Sequence, residues 1–191
     1  MNPVILSQII KGCLKDKRKE QQQLYEYTYT SLAAVVSLYT KDLSERDWVF
    51  NSGMMKVFNR LNEFKLNTNY LGWARTILVY TAIDHYRRSY NNKTEAVDIE
   101  TIQASDFRVF NHAMDNLEVE TITSYVKQLP PRERTVFNLS VIEGYKHKEI
   151  EELTGINQNT SKWLLNKAKK YLQEKLAYDP HKSISNEIET I

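Results

Sequence analysis

The chain has 191 residues, of which 41% are hydrophobic and 26% charged, an ordinary composition for globular protein that leaves room for one large domain or two small ones. Its formal net charge is only +2, so total charge does not suggest a polyanionic partner, and any argument for nucleic-acid binding has to be local. The single cysteine, Cys13, excludes an internal disulfide and favours the cytoplasm, and no apolar stretch reaches the roughly 18 residues of a membrane span.

The low counts of glycine (5) and proline (4) predict an almost entirely helical chain. A first helix begins with Asn2 as its cap and Pro3 in its first turn, and its apolar positions predict a core-facing set consisting of Val4, Ile9, Ile10 and Leu14. A second helix is predicted over about residues 20–40, and a third follows a Ser44 cap. The segment EFKLNTNY has the composition of a loop, after which helical periodicity resumes through Tyr90.

The periodicity fades over residues 91–116, which predicts an interdomain linker with a short helix near residues 107–114. A second lobe begins near Leu117, and Pro130 and Pro131 end its first helix and suit the first turn of the next. Glycines and one asparagine then delimit the remaining helices: Gly144 and Gly155 as closing residues and Asn157 as the cap of the last helix. The polar tail is predicted to fray.

Two helices joined by a short glycine-containing turn in EIEELTGINQNTSKWLLNKAKKYL follow the helix-turn-helix plan. Leu165, Ala168 and Leu172 recur at helical spacing and are predicted to pack on Ile150, Leu153 and Ile156. The opposite face carries amides that can read base edges and lysines that can neutralise phosphates. The residues predicted to contact the upstream DNA element are Gln158, Asn159, Thr160, Lys162, Trp163, Asn166, Lys167 and Lys170.

Local charge supports this interpretation, since residues 158–175 contain five lysines and one glutamate, a local +4. A lysine-rich face that is merely solvated, or that complements the helix dipole, is the alternative. Trp163 and Leu164 would be exposed on this wheel, unless they pack against the lobe or contact thymine methyl groups.

The segment LPPRERTVFNLSVIEGYKHKEIEELTGINQNTSKWLLNKAKKYL resembles region four of extracytoplasmic-function sigma factors, a group within the sigma-70 family of bacterial RNA polymerase. IIKGCLKDKRKEQQQLYEYTY, GMMKVFNRLNEFK and LGWARTILVYTAIDHYRR are similar to region two of that family. The resemblance implies an all-α chain of two helical domains joined by a flexible linker: region two at 1–90, the linker at 91–116, region four at 117–176 and a tail at 177–191.

The resemblance also implies partners and site residues. Region four would bind the duplex upstream promoter element. Region two would bind core RNA polymerase through Asp47, Asn51, Met54 and Met55. For the two methionines, packing in the core is an equally open role. The melted downstream element would meet single-strand-binding groups: Asn67, Thr68, Asn69, Tyr70, Trp73, Arg75, Tyr80, Arg87 and Arg88. A core role for Trp73 and a solvated helix end for Arg87 and Arg88 are the alternatives, and an anti-sigma factor is left open as a further partner.

No catalytic role, metal site or cofactor is predicted, because the four histidines are scattered and no phosphate loop or nucleophile motif occurs. Two other functions stay open. One is a stand-alone helix-turn-helix regulator that dimerises and binds palindromic duplex. The other is a sigma-like adaptor that has lost promoter opening, motivated by Trp48, Ser52 and Tyr80, where the family pattern differs.

Overall fold

The computed structural model describes residues 1–66, 68–90 and 116–177. Within these parts of the chain every regular element is helical and no strand occurs, which confirms the all-α class. The helices are α1 (Pro3–Cys13), α2 (Arg18–Ser37), α3 (Leu43–Asn59), a 3-10 turn (Leu61–Glu63), α4 (Tyr70–Tyr90), α5 (Asn116–Gln128), α6 (Pro131–Phe137), a π-helical turn (Asn138–Ile142), α7 (His147–Thr154) and α8 (Gln158–Ala177).

Contacts between Cα atoms divide the chain into two compact units. The first comprises Met1–Arg108 with Leu153–Gly155, and the second comprises Val109–Glu152 with Ile156–Ile191. The predicted linker (apart from Asn116), its short helix near residues 107–114 and the tail beyond Ala177 lie outside the described residues. The finer division into sigma regions stays a prediction.

Helix α1 begins as its sequence predicts but buries a narrower face. The Asn2 side chain accepts a hydrogen bond from the backbone N–H of Val4 (2.9 Å), and Pro3 opens the helix. Ile9 and Ile10 are buried, whereas Val4 and Leu14 are 65% and 51% exposed, so their predicted core role is wrong. Because α1 packs mainly on α2, only the stripe facing that neighbour is covered.

The cap of α3 differs from the prediction. Asp42, with extended backbone, accepts from the N–H of Glu45 (2.8 Å). The Glu45 carboxylate in turn accepts from the N–H of Lys41, so two donors at the helix start are satisfied reciprocally. Ser44 lies one residue inside the helix, and its predicted capping role is wrong, because an aspartate two residues earlier already reaches the free N–H groups.

Helices α2, α3 and α4 build the core of the first unit, and α4 packs against both of the others. Large side chains from all three are buried there, including Leu24, Phe50, Val57, Leu78 and Ile83.

The helices of residues 116–177 begin and end where proline and glycine predict. Pro131 is the first residue of α6, where the missing N–H costs no helical hydrogen bond. The helical segment continues through the π-helical turn, which the sequence did not reveal, and ends before Gly144. Gly144 (φ 79°) and Gly155 (φ 73°) adopt the left-handed conformation that glycine reaches without steric cost, which confirms their closing roles.

Candidate nucleic-acid interface

Helices α7 and α8 form the predicted helix-turn-helix, with Gly155 in the turn between them. The Asn157 side chain accepts from the N–H of Thr160 (2.8 Å), confirming the predicted cap of α8. The apolar residues expected between the helices are all buried: Ile150, Leu153, Ile156, Leu165, Ala168 and Leu172. A polar contact also joins the two helices, since His147 Nδ1 lies 2.8 Å from the buried Ser161 hydroxyl.

The outer face of α8 is open to solvent. Every predicted DNA-contacting residue on it is exposed except Thr160, which is half-buried: Gln158, Asn159, Lys162, Trp163, Asn166, Lys167 and Lys170. Leu164, in contrast, is only 3% exposed, so it packs in the unit and does not reach the surface. Trp163 is 58% exposed and presents its indole beside the lysines.

The helical geometry adds one residue to this face. At about 100° per residue, Lys169 points within about 20° of Lys162, whereas Lys167 points about 140° away from it. Lys169 is exposed. Lys169 was not among the residues predicted on this face, although its spacing of seven residues from Lys162 is a sufficient signal.

Three side chains of this face form hydrogen bonds or ion pairs with other side chains. Lys167 Nζ lies 2.8 Å from Oε1 of Glu133 on α6. Gln158 donates through Nε2 to Glu151 (2.9 Å), which commits one of its amide hydrogens. Lys170 lies 3.9 Å from Glu174, and both side chains are highly exposed. Exposed pairs of the last kind contribute little and open easily to another anion.

The loop before α4 carries only part of the predicted single-strand site. Asn67 lies outside the described residues, while Thr68 and Asn69 are exposed. Their side chains make local backbone contacts: the Thr68 hydroxyl donates to Lys65 O (2.8 Å), and Asn69 Oδ1 accepts from the N–H of Gly72 (3.2 Å). These bonds fix the loop at the start of α4.

The aromatic residues at this position are more buried than a stacking role needs. Tyr70 is 2% exposed, and burial raises the pKa of its hydroxyl. Trp73 is half-buried, with its ring 5.3 Å from that of Phe64 and 6.1 Å from that of Tyr70. Tyr70 is therefore a core residue in this structure, and Trp73 retains only part of its surface for another ring.

Other residues predicted on α4 are also covered. Tyr80 is 1% exposed and Arg87 is 9% exposed, so neither presents a surface to a nucleic acid here. The cause is the packing of α4 against both α2 and α3, which leaves this helix few open positions. Arg75 is half-buried and Arg88 is exposed.

The predicted polymerase-binding residues of α3 likewise include both buried and exposed side chains. Met54 is 2% exposed and therefore packs in the core, whereas Met55 is 63% exposed. Asn51 is exposed, and its Oδ1 accepts from the Tyr25 hydroxyl (2.7 Å). The Asp47 carboxylate is held by Arg46 Nη2 at 2.6 Å. Trp48, which the prediction set aside as a departure from the family, is 55% exposed on the same helix.

Two further observations concern the described residues alone. No group of three or more His, Cys, Asp or Glu side chains is placed to hold a metal ion there. Nor does any helix in those ranges combine the length and apolar character that crossing a bilayer requires.

These features define a class: an all-α protein with a helix-turn-helix formed by α7 and α8, whose second helix has an exposed lysine and amide face. Residues 120–172 match the family model "Sigma-70, region 4". The chain is also similar to "RNA polymerase sigma factor SigV" of Bacillus subtilis (strain 168), with 28% identity over 138 residues that cover 72% of this chain and 80% of that protein. The family match over residues 120–172 agrees with the resemblance to sigma region four that the motifs of this segment suggest.

Two solved structures are similar as well. One is CnrH in complex with the cytosolic domain of CnrY, with 16% identity, 93% of this chain and 97% of that chain covered, and a TM-score of 0.44. The other is the sigma factor RpoE in complex with the anti-sigma factor NepR from Bartonella quintana, with 17% identity, coverages of 84% and 99%, and a TM-score of 0.45.

Proposed function

We propose that this chain is a sigma factor that directs bacterial RNA polymerase to promoters and initiates transcription there. The observation that carries the proposal is the exposed face of α8, which combines amides at the helix start with lysines along its length, within residues that match sigma region four. The polymerase works in the cytoplasm, where the chain would act. It would contribute recognition and promoter opening, and no catalytic step is assigned to it.

In this proposal, the second unit holds the duplex upstream element. Asn159 and Asn166 are exposed amides that can reach base edges, whereas Lys162 and Lys169 would neutralise phosphates. Amides form two directional hydrogen bonds with adenine, which suits sequence reading, whereas an ammonium group is suited to the less directional attraction of a phosphate.

The first unit would bind core polymerase and take hold of the melted element. Exposure selects Asn51 and Met55 for the polymerase contact, and Trp48 joins them as an exposed aromatic on the same helix. For the single strand, the accessible groups are Thr68, Asn69 and Arg88, with Arg75 and Trp73 half-buried. Because polymerase would hold both units, two weak promoter contacts act together through a raised effective concentration. An anti-sigma factor is a further partner that the proposal accommodates.

Transcription in vitro tests the function directly. The full chain is combined with purified bacterial core polymerase and a library of promoter fragments, and transcripts with defined start sites are expected. Core polymerase alone is the control. Binding of a palindromic duplex without polymerase, and no transcript, would instead support a stand-alone regulator. Association with polymerase without a transcript would support an adaptor.

The DNA-binding face has its own test. Lys162→Ala and Lys169→Ala are each expected to weaken binding to a selected upstream duplex and to reduce the slope of log K against log salt by about 0.9. Lys15→Ala, an exposed lysine of the first unit, is the matched control for loss of one charge. Equal slopes for all three variants would remove α8 from the phosphate contacts.

A further inference from the structure

Lys167 lies on the recognition helix but is connected to another part of the second unit. Its ammonium group forms an ion pair with Glu133 of α6, with Nζ 2.8 Å from Oε1. The same group lies 5.2 Å from the centroid of the Trp163 ring, one helical turn earlier on α8. The side chain therefore joins α6, α8 and the exposed indole at one point.

Burial is unequal across this pair. The side chain of Glu133 is 7% exposed, while that of Lys167 is 54% exposed. A buried carboxylate needs a partner, because loss of the partner leaves an unpaired charge outside water. Lys167 supplies that partner with an ammonium hydrogen bond, and swinging toward a DNA phosphate would remove it from Glu133. The cost of uncovering the carboxylate opposes such a movement.

The position of Lys167 on the helix agrees with this role. It points about 140° from Lys162, at the margin of the exposed face, whereas Lys169 and Asn166 point within about 40° of Lys162. A lysine at the margin can bridge to the neighbouring helix without covering the central residues. The pair between α6 and α8 can thus fix the rotation of α8 about its axis.

We propose that Lys167 and Glu133 are positioning residues: their ion pair sets the orientation in which α8 presents Asn159, Lys162 and Asn166, and Lys167 does not contact a DNA phosphate. This inference rests on the proposed function of the second unit as a duplex-binding module. Lys167 is thereby removed from the predicted phosphate contacts.

The first experiment measures affinity at several salt concentrations, using the full chain and a duplex selected from a random-sequence pool with the wild-type protein. Lys167→Met and Glu133→Gln are each expected to weaken binding roughly five- to tenfold at every salt concentration, and the double variant to bind no more weakly than either single variant. The salt slope of Lys167→Met should equal that of the wild type, whereas Lys162→Met should lose about 0.9.

Three results would overturn the inference: a loss of about 0.9 in the slope of Lys167→Met, unchanged affinity in both single variants, or losses that simply add in the double variant. If Lys167 served only the stability of the fold, its substitution would not leave the salt slope unchanged while weakening DNA binding together with Glu133→Gln in a protein that stays folded. Far-UV circular dichroism of each variant establishes that α8 is formed.

A second experiment does not depend on DNA. In thermal unfolding, the midpoint shifts of Lys167→Met and Glu133→Gln are expected to be non-additive, because each removes the same pair. Lys170→Met with Glu174→Gln is the matched control on the same helix, where both partners are exposed and 3.9 Å apart, so its shifts should add. Additive shifts at Lys167 and Glu133 would refute the pair. If the wild type selects no duplex, the proposed function fails while this cycle still decides the pair.

Discussion

A buried hydrogen bond between α2 and α4 allows a quantitative test of the first unit. The Thr28 hydroxyl lies 2.8 Å from the Tyr70 hydroxyl and also donates to Leu24 O at 2.7 Å. Because a threonine hydroxyl has one proton, and that proton is committed to Leu24 O, Tyr70 must be the donor to Thr28. Thr28 is fully buried and Tyr70 is 2% exposed, so neither has water as a substitute.

The two obvious substitutions should therefore differ in cost. Tyr70→Phe removes the donor and leaves Thr28 still bonded to Leu24 O, so the free energy of unfolding should fall by about 1 kcal/mol. Thr28→Val leaves the buried Tyr70 hydroxyl without its acceptor, which should cost about 1–3 kcal/mol. The double variant should lose less than the sum, since the second change removes a group that the first had left unsatisfied.

Urea unfolding monitored by tryptophan fluorescence measures these costs. In a Trp163→Phe background the remaining indoles, Trp48 and Trp73, both lie in the first unit, so the signal reports on that unit alone. Trp73 is half-buried beside Tyr70 and should respond strongly to unfolding. A Tyr70→Phe variant that loses as much stability as Thr28→Val, or more, would refute the assignment of donor and acceptor.

Three further predictions concern single positions. Asp42→Ala should lower the free energy of unfolding by about 1 kcal/mol through loss of the α3 cap, while Ser44→Ala should change it little, as measured by urea unfolding; equal costs would contradict the assigned cap. Met54→Ala truncates a core side chain and should lower the free energy of unfolding by about 2–5 kcal/mol. Met55→Ala should leave stability unchanged and weaken retention of core polymerase in a pull-down. Unweakened retention would remove Met55 from that contact. Gly144→Ala should lower the free energy of unfolding, measured by thermal unfolding, by about 1 kcal/mol because of the positive φ at this position, and Gly144→Asn should lower it less. Equal stability of the wild type and both variants would show that the turn relaxes.

Local signals in the sequence were sufficient for much of the second unit. Short patterns identify helix ends because the residues involved act on their own backbone neighbours. Examples are the cap Asn157, the proline at the start of α6 and the glycines that close two helices. The same holds for Asn2 at the start of α1. The α3 cap was misassigned because Asp42 and Ser44 both have capping side chains, and the choice between them depends on where the helix begins.

Burial on α4 was harder to predict because it depends on distant elements. Tyr80 and Arg87 were assigned by resemblance to exposed positions, yet α4 has two neighbouring helices and few uncovered sides. A polar or amphipathic residue on such a helix carries no sequence signal that separates a covered position from an open one. Lys167 illustrates the same limit, since its partner Glu133 lies 34 residues away in the chain.

The exposed surface of α3 shows how tertiary contacts change the chemistry that a sequence suggests. Asp47 alone would indicate an anionic docking group, but Arg46 contacts its carboxylate through both Nε (2.9 Å) and Nη2 (2.6 Å), and the Tyr29 hydroxyl donates to the same oxygen (3.2 Å). Its negative charge is therefore largely compensated within the unit. Asn51 keeps its amide hydrogens for a partner, because the Tyr25 hydroxyl occupies only its oxygen. With Met55 exposed nearby, this part of α3 offers amide and apolar groups, and a partner that binds here should gain more from surface burial and hydrogen bonding than from charge.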